Sequence, residues 1–241
     1  MKNQKIIQGG GVIPFKKFSK EENEVWKLLC EKQMKNLRGK ATKLHKQGWD
    51  ALGMSTEYIP NFLEINKKLK KLTSWEIEMT DITYENNVEW VGALADKKHR
   101  ITNFIRKKKD LDYTPLPDIF HDVFGHVPFL AIPQYARILE KFGRAIVKAK
   151  NKENKDHIAK LGWYGYEFGL IKEDGEIKAF GTGLMSSSGE LQNAFSEKVL
   201  KVPYDEKVIR NLDISPHEFH RKLFILENLD HLEEVVNRWL K

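Results

Sequence analysis

Two histidines and one glutamate carry the densest chemical signal in the chain. The run Pro117-Asp118-Ile119-Phe120-His121-Asp122-Val123-Phe124-Gly125-His126-Val127-Pro128 sets His121 and His126 five residues apart among apolar neighbours, and interior imidazoles need partners. Downstream, Glu167 is the only charge in 161–170, a segment otherwise aromatic, aliphatic or glycine. A carboxylate there is costly to bury unless it meets a cation or a metal. A salt bridge to another segment would satisfy Glu167 taken alone, and core packing would account for the histidines taken alone. Together the three make two imidazoles and a carboxylate, the facial set that leaves coordination positions open on non-haem Fe(II) for oxygen chemistry. The same set can hold catalytic zinc with a water. The aromatic residues around it favour an aromatic ligand and oxygen chemistry over hydrolysis of a polar substrate.

The elements that carry these residues face a geometric problem. In an α-helix, five residues at about 100° each leave side chains about 140° apart around the axis, so an unbroken helix splays the two histidines. Pro128 disfavours helical geometry at Val127 and Gly125 frees the backbone just before His126. The sequence therefore predicts a helix that carries His121 and ends so that His126 swings back to the same point. Upstream, Ser19 with Glu22 reads as a capping box opening a helix from 19 to about 46. Trp26, Leu29, Cys30 and Leu37 lie on its apolar face, and Gln33 is the polar exception. The spacing further predicts a short helix after Pro60 through Leu63, Ile65 and Leu69, a half-buried strand over 75–80, a helix over 85–94 and a strand over 100–105. Glu173-Asp174-Gly175-Glu176 between apolar pieces is a hairpin signal, and 226–240 reads as an amphipathic helix. Residues 1–17, with Gly9, Gly10 and Gly11, read as an irregular strap.

The chain has 241 residues, 41% hydrophobic, 31% charged and 11% aromatic, with one cysteine. That suits one α+β domain, mainly α-helical with short β-hairpins, whose length buries a sizeable core; the aromatic content excludes a disordered chain. Cys30 has no partner for a disulfide within the chain, and with no histidine near it on an apolar face it reads as structural rather than reactive. No apolar run approaches 18 residues, and the N-terminus lacks the apolar stretch of a secretory signal, so a reducing cytoplasm is the expected location. The net charge of +7 invites a nucleic-acid reading. Residues 1–110 hold 23 Lys and Arg against 14 Asp and Glu, whereas 111–241 hold 18 against 20, so the excess lies wholly before the proposed ligands. Its clusters, Lys67, Lys68, Lys70 and Lys71, and Arg106 with Lys107, Lys108 and Lys109, are not interleaved with aromatics as a single-strand groove requires. They read as solvated surface. The expected partners are small molecules, with no nucleic acid and no membrane, and the expected state is a monomer.

The chain resembles the pterin-dependent aromatic amino acid hydroxylases, most closely the short bacterial phenylalanine 4-monooxygenases. The resemblance rests on Asp112-Tyr113-Thr114-Pro115, Pro117-Asp118, the run from His121 to Pro128, Glu167-Phe168-Gly169-Leu170 and Gly181-Thr182-Gly183-Leu184-Met185-Ser186-Ser187. Weaker echoes begin at Phe18-Ser19, with Trp26 and Gln33, and recur over 219–226. It covers nearly the whole chain and implies a single catalytic domain over 1–241, without room for the family's regulatory domain or tetramer-forming helix. It also implies that His121, His126 and Glu167 bind Fe(II), where tetrahydropterin and O2 react to hydroxylate an aromatic ring.

By the same resemblance, Arg106 grips the substrate carboxylate, a task suited to its fork, and Asp118 orients it. Ser186 hydrogen-bonds a ligand histidine. Trp163 and Phe168 wall the substrate pocket, with Thr114 and Gly183 at its rim. Trp90, Asp122 and Ala159 fall on pterin contacts. Gly162 stands where many members have a tyrosine next to the pterin, and Pro216 and His217 make the late loop unlike the family pattern. L-phenylalanine converted to L-tyrosine is the leading reaction, since tryptophan hydroxylases carry phenylalanine at the position of Trp163. The alternatives are another aromatic amino acid or ring position, and, from a different class, a metal-dependent hydrolase built on the His121-Asp122 dyad.

Overall fold

The computed structural model describes residues 11–81, 87–112, 114, 116–214 and 218–241, with backbone alone for 87–89. Gly9, Gly10, Tyr113, Pro115, Pro216 and His217, all named above, and the start of the helix expected over 85–94 lie outside the described residues. Helix α1 (Lys20–Leu37) opens at the expected capping box: Ser19 Oγ accepts from Glu22 N at 3.1 Å, and Glu22 Oε2 accepts from Ser19 N at 2.7 Å. It ends well before 46, because Gly39 turns the chain at φ +75° and Thr42 caps a separate helix α2 (Lys43–Leu52). Gln33 is buried and satisfied, its Nε2 donating to Leu184 O at 3.3 Å and its Oε1 accepting from Ser188 Oγ at 2.9 Å. Burial pushes the Cys30 thiol well above its ordinary range, as a structural cysteine requires.

Helix α3 (Phe62–Leu72) starts at Asn61, whose side chain accepts from Leu63 N. Along it Lys67 pairs with Glu64, Lys70 with Glu76, and Lys68 donates to the Leu52 carbonyl. Strand β1 (Val12–Ile13) pairs antiparallel with β2 (Glu76–Thr80), so the strap is regular over two residues. After α4 (Asn87–Ala93), β3 (Lys98–Ile101) runs parallel to β2. This strand begins two residues and ends four residues earlier than the periodicity suggests, and its end comes where the side chain of Asp122 takes the next amide, Thr102 N, at 2.7 Å.

The second half builds on two π-helical turns. The first, Phe120–His126, runs directly into α5 (Val127–Leu130), and α6 (Pro133–Lys148) follows with a buried stripe including Tyr135, Leu139 and Phe142. The second, Trp163–Glu167, continues α7 (Lys152–Gly162). Strands β4 (Leu170–Glu173) and β5 (Glu176–Ala179) form the expected hairpin, with Asp174 and Gly175 at φ 52° and 79°, the two positive angles of a primed turn. Helices α8 (Thr182–Ser186) and α9 (Ser188–Ala194) precede β6 (Leu200–Pro203), α10 (Glu206–Arg210), β7 (Lys222–Leu226) and α11 (Leu229–Arg238). The last helix is therefore shorter than 226–240, because Leu226 belongs to a strand and Asn228 caps the helix. The second sheet has the order β5-β4-β7-β6 with both β7 pairings parallel, so only one strand pair in it is a hairpin. Both sheets flank a single helical core.

Helix α2 is seated on α5 through Gly48. A Cβ there would stand 1.8 Å from Pro128 O and 2.5 Å from Pro128 C, so the two backbones must part to admit it. Gly48→Ala is expected to lower stability by about 1–3 kcal/mol, the usual cost of overpacking. Gly92→Ala, with open space at the Cβ, should instead raise stability by up to about 1 kcal/mol. Thermal unfolding of the two variants checks both signs.

Candidate active site

His121 and His126 meet without any break in the helix. The segment between them is π-helical, and i→i+5 hydrogen bonding sets residues five apart over one another. The expected helix end between the histidines is thus replaced by a change of helix type. Pro128 lies in the first turn of α5 and has no N–H to give the Phe124 carbonyl four residues back. Gly125 serves close approach instead: a Cβ there would stand 2.8 Å from Thr182 O on α8. Buried His45 braces the same turn by donating from Nε2 to Phe124 O at 2.7 Å. Glu167 ends the second π turn, closed by Phe168 N donating to Trp163 O at 2.9 Å.

The three side chains converge. His126 Nε2 stands 3.2 Å from His121 Nε2 and 3.3 Å from Glu167 Oε1, and His121 Nε2 is 3.9 Å from Glu167 Oε2. Ser186 Oγ donates to Thr182 O at 3.0 Å, so it accepts from His121 Nδ1 at 2.8 Å. That fixes the proton on Nδ1 and leaves the Nε2 lone pair facing the centre. Thr182 Oγ1 donates to Glu167 Oε2 at 2.7 Å and orients the carboxylate.

Burial, reinforced by His126, draws His121 down to about 4 and keeps it neutral. Burial would raise the Glu167 carboxyl, but His126, His121 and the Thr182 hydroxyl bring it down to about 2. His126 is held above its ordinary value because Glu167 outweighs the effect of burial. Positive charge is what this trio requires. The donor set also fits a metal by geometry: ligand atoms bound in neighbouring positions at about 2.1 Å from one ion stand about 3 Å apart, as the nitrogens do.

The other expected residues divide into four groups. Arg106 and Asp118 form a buried two-pronged pair, with Nε to Oδ2 and Nη2 to Oδ1 both at 2.9 Å, and the Arg106 backbone N–H also donates to Asp118 Oδ2 at 2.8 Å. Asp118 Oδ1 also accepts from His121 N at 3.3 Å, so it orients the arginine and caps the metal-bearing turn at once. Trp163 and Phe168 pack with ring centroids 4.6 Å apart, and Gly183 is needed because a Cβ would stand 2.5 Å from the Phe168 ring.

Trp90 and Asp122 line a cleft of about 460 Å³, open solvent at its mouth included, that reaches His121, His126 and Glu167. Burial raises the Asp122 carboxyl to about 7, against the Thr102 amide that lowers it. Thr114 and Ala159 are not brought to that cleft: the Thr114 hydroxyl donates to Leu116 O at 3.1 Å, and Ala159 packs against the core.

The cleft also contains residues that the sequence did not single out. His99 and Arg100 line it, with the His99 ring 4.6 Å from that of His126. Both His99 nitrogens, Arg100 Nε and Nη1 and His126 Nδ1 are buried without a hydrogen-bond partner among the described residues. The signal available was a histidine and an arginine on successive strand positions, which alternation alone assigns to opposite faces. Tyr166 is the third such residue. Its ring covers Gly162, where a Cβ would meet Cε1 at 2.7 Å and Cζ and Oη at 2.8 Å. The glycine at 162 is thus explained by the phenol at 166, which fills the space and forms part of the cleft wall.

Residues 4–241 match the model of the biopterin-dependent aromatic amino acid hydroxylase family. The phenylalanine-4-hydroxylase of Mesorhizobium japonicum is 36% identical over 220 residues, spanning 90% of this chain and 79% of the relative. The crystal structure of Chromobacterium violaceum phenylalanine hydroxylase with bound iron(III) and oxidised cofactor 7,8-dihydrobiopterin superposes with a TM-score of 0.86 at 31% identity, over 92% of this chain and 81% of that one. The apo structure of the cold-active Colwellia psychrerythraea enzyme gives 0.87 at 29% identity, over 94% and 88%. The chain belongs to the biopterin-dependent aromatic amino acid hydroxylases, and His121, His126 and Glu167 form its candidate iron site.

Proposed function

We propose that this chain converts L-phenylalanine to L-tyrosine with O2 and a tetrahydropterin, using Fe(II) held by His121, His126 and Glu167. The observation that carries the reading is the convergence of those three side chains beside the Arg106–Asp118 pair. Relatives named phenylalanine-4-hydroxylase at 30–36% identity support the choice of substrate and ring position. Fe(II) held by these residues would supply the activation of O2 that ring hydroxylation needs.

The chain's own residues have definite tasks in this reading. Ser186 keeps the His121 proton on Nδ1. Arg106, held by Asp118 through Nε and Nη2, presents the remainder of its guanidinium to the amino acid's carboxylate. Trp163 and Phe168 wall the aromatic ring, with Thr114 and Gly183 at the rim. Trp90 and Asp122 receive the pterin, with Tyr166 shaping the same cleft. A hydrolase built on His121-Asp122 is disfavoured, because Asp122 is absent from the ligand atoms that converge and its carboxylate is engaged by Thr102 N. The reading places the enzyme in a reducing cytoplasm as a monomer, which suits a chain whose one cysteine is buried and free.

Three measurements test the proposal. Iron-loaded protein given tetrahydropterin, O2 and each aromatic amino acid should yield tyrosine from phenylalanine by chromatography; no hydroxylated amino acid from any of them rejects it. His121→Ala and Glu167→Ala should each bind only a small fraction of the iron held by the unmodified chain, measured by elemental analysis. Arg106→Lys should keep its iron but raise KM for phenylalanine by about tenfold or more, because an ammonium cannot serve Asp118 and a carboxylate in the same plane.

A further inference from the structure

A buried polar chain ends on the wall of the proposed substrate pocket. Trp163 Nε1 donates to His220 Nε2 at 2.9 Å, and His220 Nδ1 pairs with Glu190 Oε1 at 2.8 Å. An indole N–H can only donate, so His220 Nε2 accepts and its proton sits on Nδ1, facing the carboxylate. Asn193 Nδ2 secures the chain by donating to His220 O at 2.7 Å and to Glu190 Oε2 at 3.4 Å. Trp163, Glu190 and His220 are each only 9% exposed, so every bond in the chain is shielded from water and costly to leave unmade.

The same imidazole braces both ends of the second π turn. Its ring lies 4.2 Å from that of Phe168, at 32°, and 5.8 Å from that of Trp163, at 37°. Trp163 opens the turn and Phe168 closes it, with Glu167 as its last residue. The three elements involved, α9, the segment before β7 and the π turn, are distant in sequence.

We infer that Glu190 and His220 are positioning residues for hydroxylation: the carboxylate fixes the imidazole, the imidazole fixes the Trp163 indole and the Phe168 ring, and these set where the substrate's aromatic ring lies. This rests on the reading that Trp163 and Phe168 wall that ring. Neither Glu190 nor His220 touches the metal ligands, so the effect falls on amino-acid binding ahead of iron binding.

His220→Phe keeps a flat ring but removes both hydrogen bonds, and His220→Gln offers a carbonyl to the indole and an amide N–H to Glu190. His220→Phe should retain iron and raise both KM for phenylalanine and its dissociation constant, measured by anaerobic calorimetry, by about tenfold, the scale of one unmade buried hydrogen bond. The drop in kcat should be smaller than the rise in KM, and His220→Gln should recover most of the loss. Unchanged KM and dissociation constant in His220→Phe overturn the inference, as does a His220→Gln variant equally impaired, which would make the effect one of packing. If His220→Phe does not fold, Glu190→Ala must raise KM in the same direction, and an unchanged KM there is equally fatal. Unmodified enzyme that makes tyrosine while the variants behave like it defeats this inference alone; unmodified enzyme inactive on every aromatic amino acid defeats the proposed function and takes the inference with it.

Discussion

Everything at the centre of this protein depends on bringing two imidazole Nε2 atoms to 3.2 Å from each other beside a carboxylate. Two lone pairs at that distance repel unless positive charge lies between them, so the arrangement holds only if the backbone and the partners behind each ring impose it. The backbone does so through a π-helical turn, which alone among helices sets residues five apart on one face. Behind His121, Ser186 and Asp118 fix ring and backbone; behind Glu167, Thr182 orients the carboxylate. Helix α8 supplies two of these partners, and Gly125 and Gly183 let it approach both π turns to within contact.

The packing around the centre is graded by chemistry. On the side of α1 and α2, Trp26, Trp49, Phe120 and Phe124 form an apolar cluster, the two phenylalanines stacked with ring centroids 4.7 Å apart and Trp49 edge-on to Phe124 at 5.3 Å. On the cleft side polar groups join the lining, with His99, Arg100, Asp122 and Tyr166 beside the apolar Trp90, Val91, Leu94 and Leu139. A metal ligand set between a dry wall and a polar cleft keeps its basicity while remaining open to a polar co-substrate. Among the described residues of the first half, Arg106 and Arg100 are the basic side chains placed at the site; Lys108, for instance, pairs with Glu24 on the surface.

Much of the site was legible in the sequence because it depends on residue type. An isolated charge in an aromatic segment and a pair of interior histidines already demanded a shared partner, and the capping box at Ser19 and the hairpin at Asp174-Gly175 follow from local side-chain and dihedral preferences. What was hidden depends on hydrogen-bond pattern or on distant contacts. No residue type marks a π turn, so His121 and His126 read as a pair that needed a break. The end of α1 hangs on a single positive φ at Gly39, and β3 stops where a side chain from the metal-bearing turn takes its next amide. Gly162 read as a gap in the family pattern, and only the fold reveals that the ring at 166 occupies it.

The π turn also places an unusual demand on the gene that encodes this chain. It holds one more residue per turn of hydrogen bonding than an α-helix does, so losing any one residue between Phe120 and His126 lets the segment close into ordinary helix. With one residue fewer between them the two imidazoles would stand four apart, about 40° around the axis of an ordinary helix, and still share a face, whereas five steps of that helix leave them about 140° apart. A spacing of five therefore serves the site only together with the π turn, so the length of this stretch and its type of helix must change together or not at all.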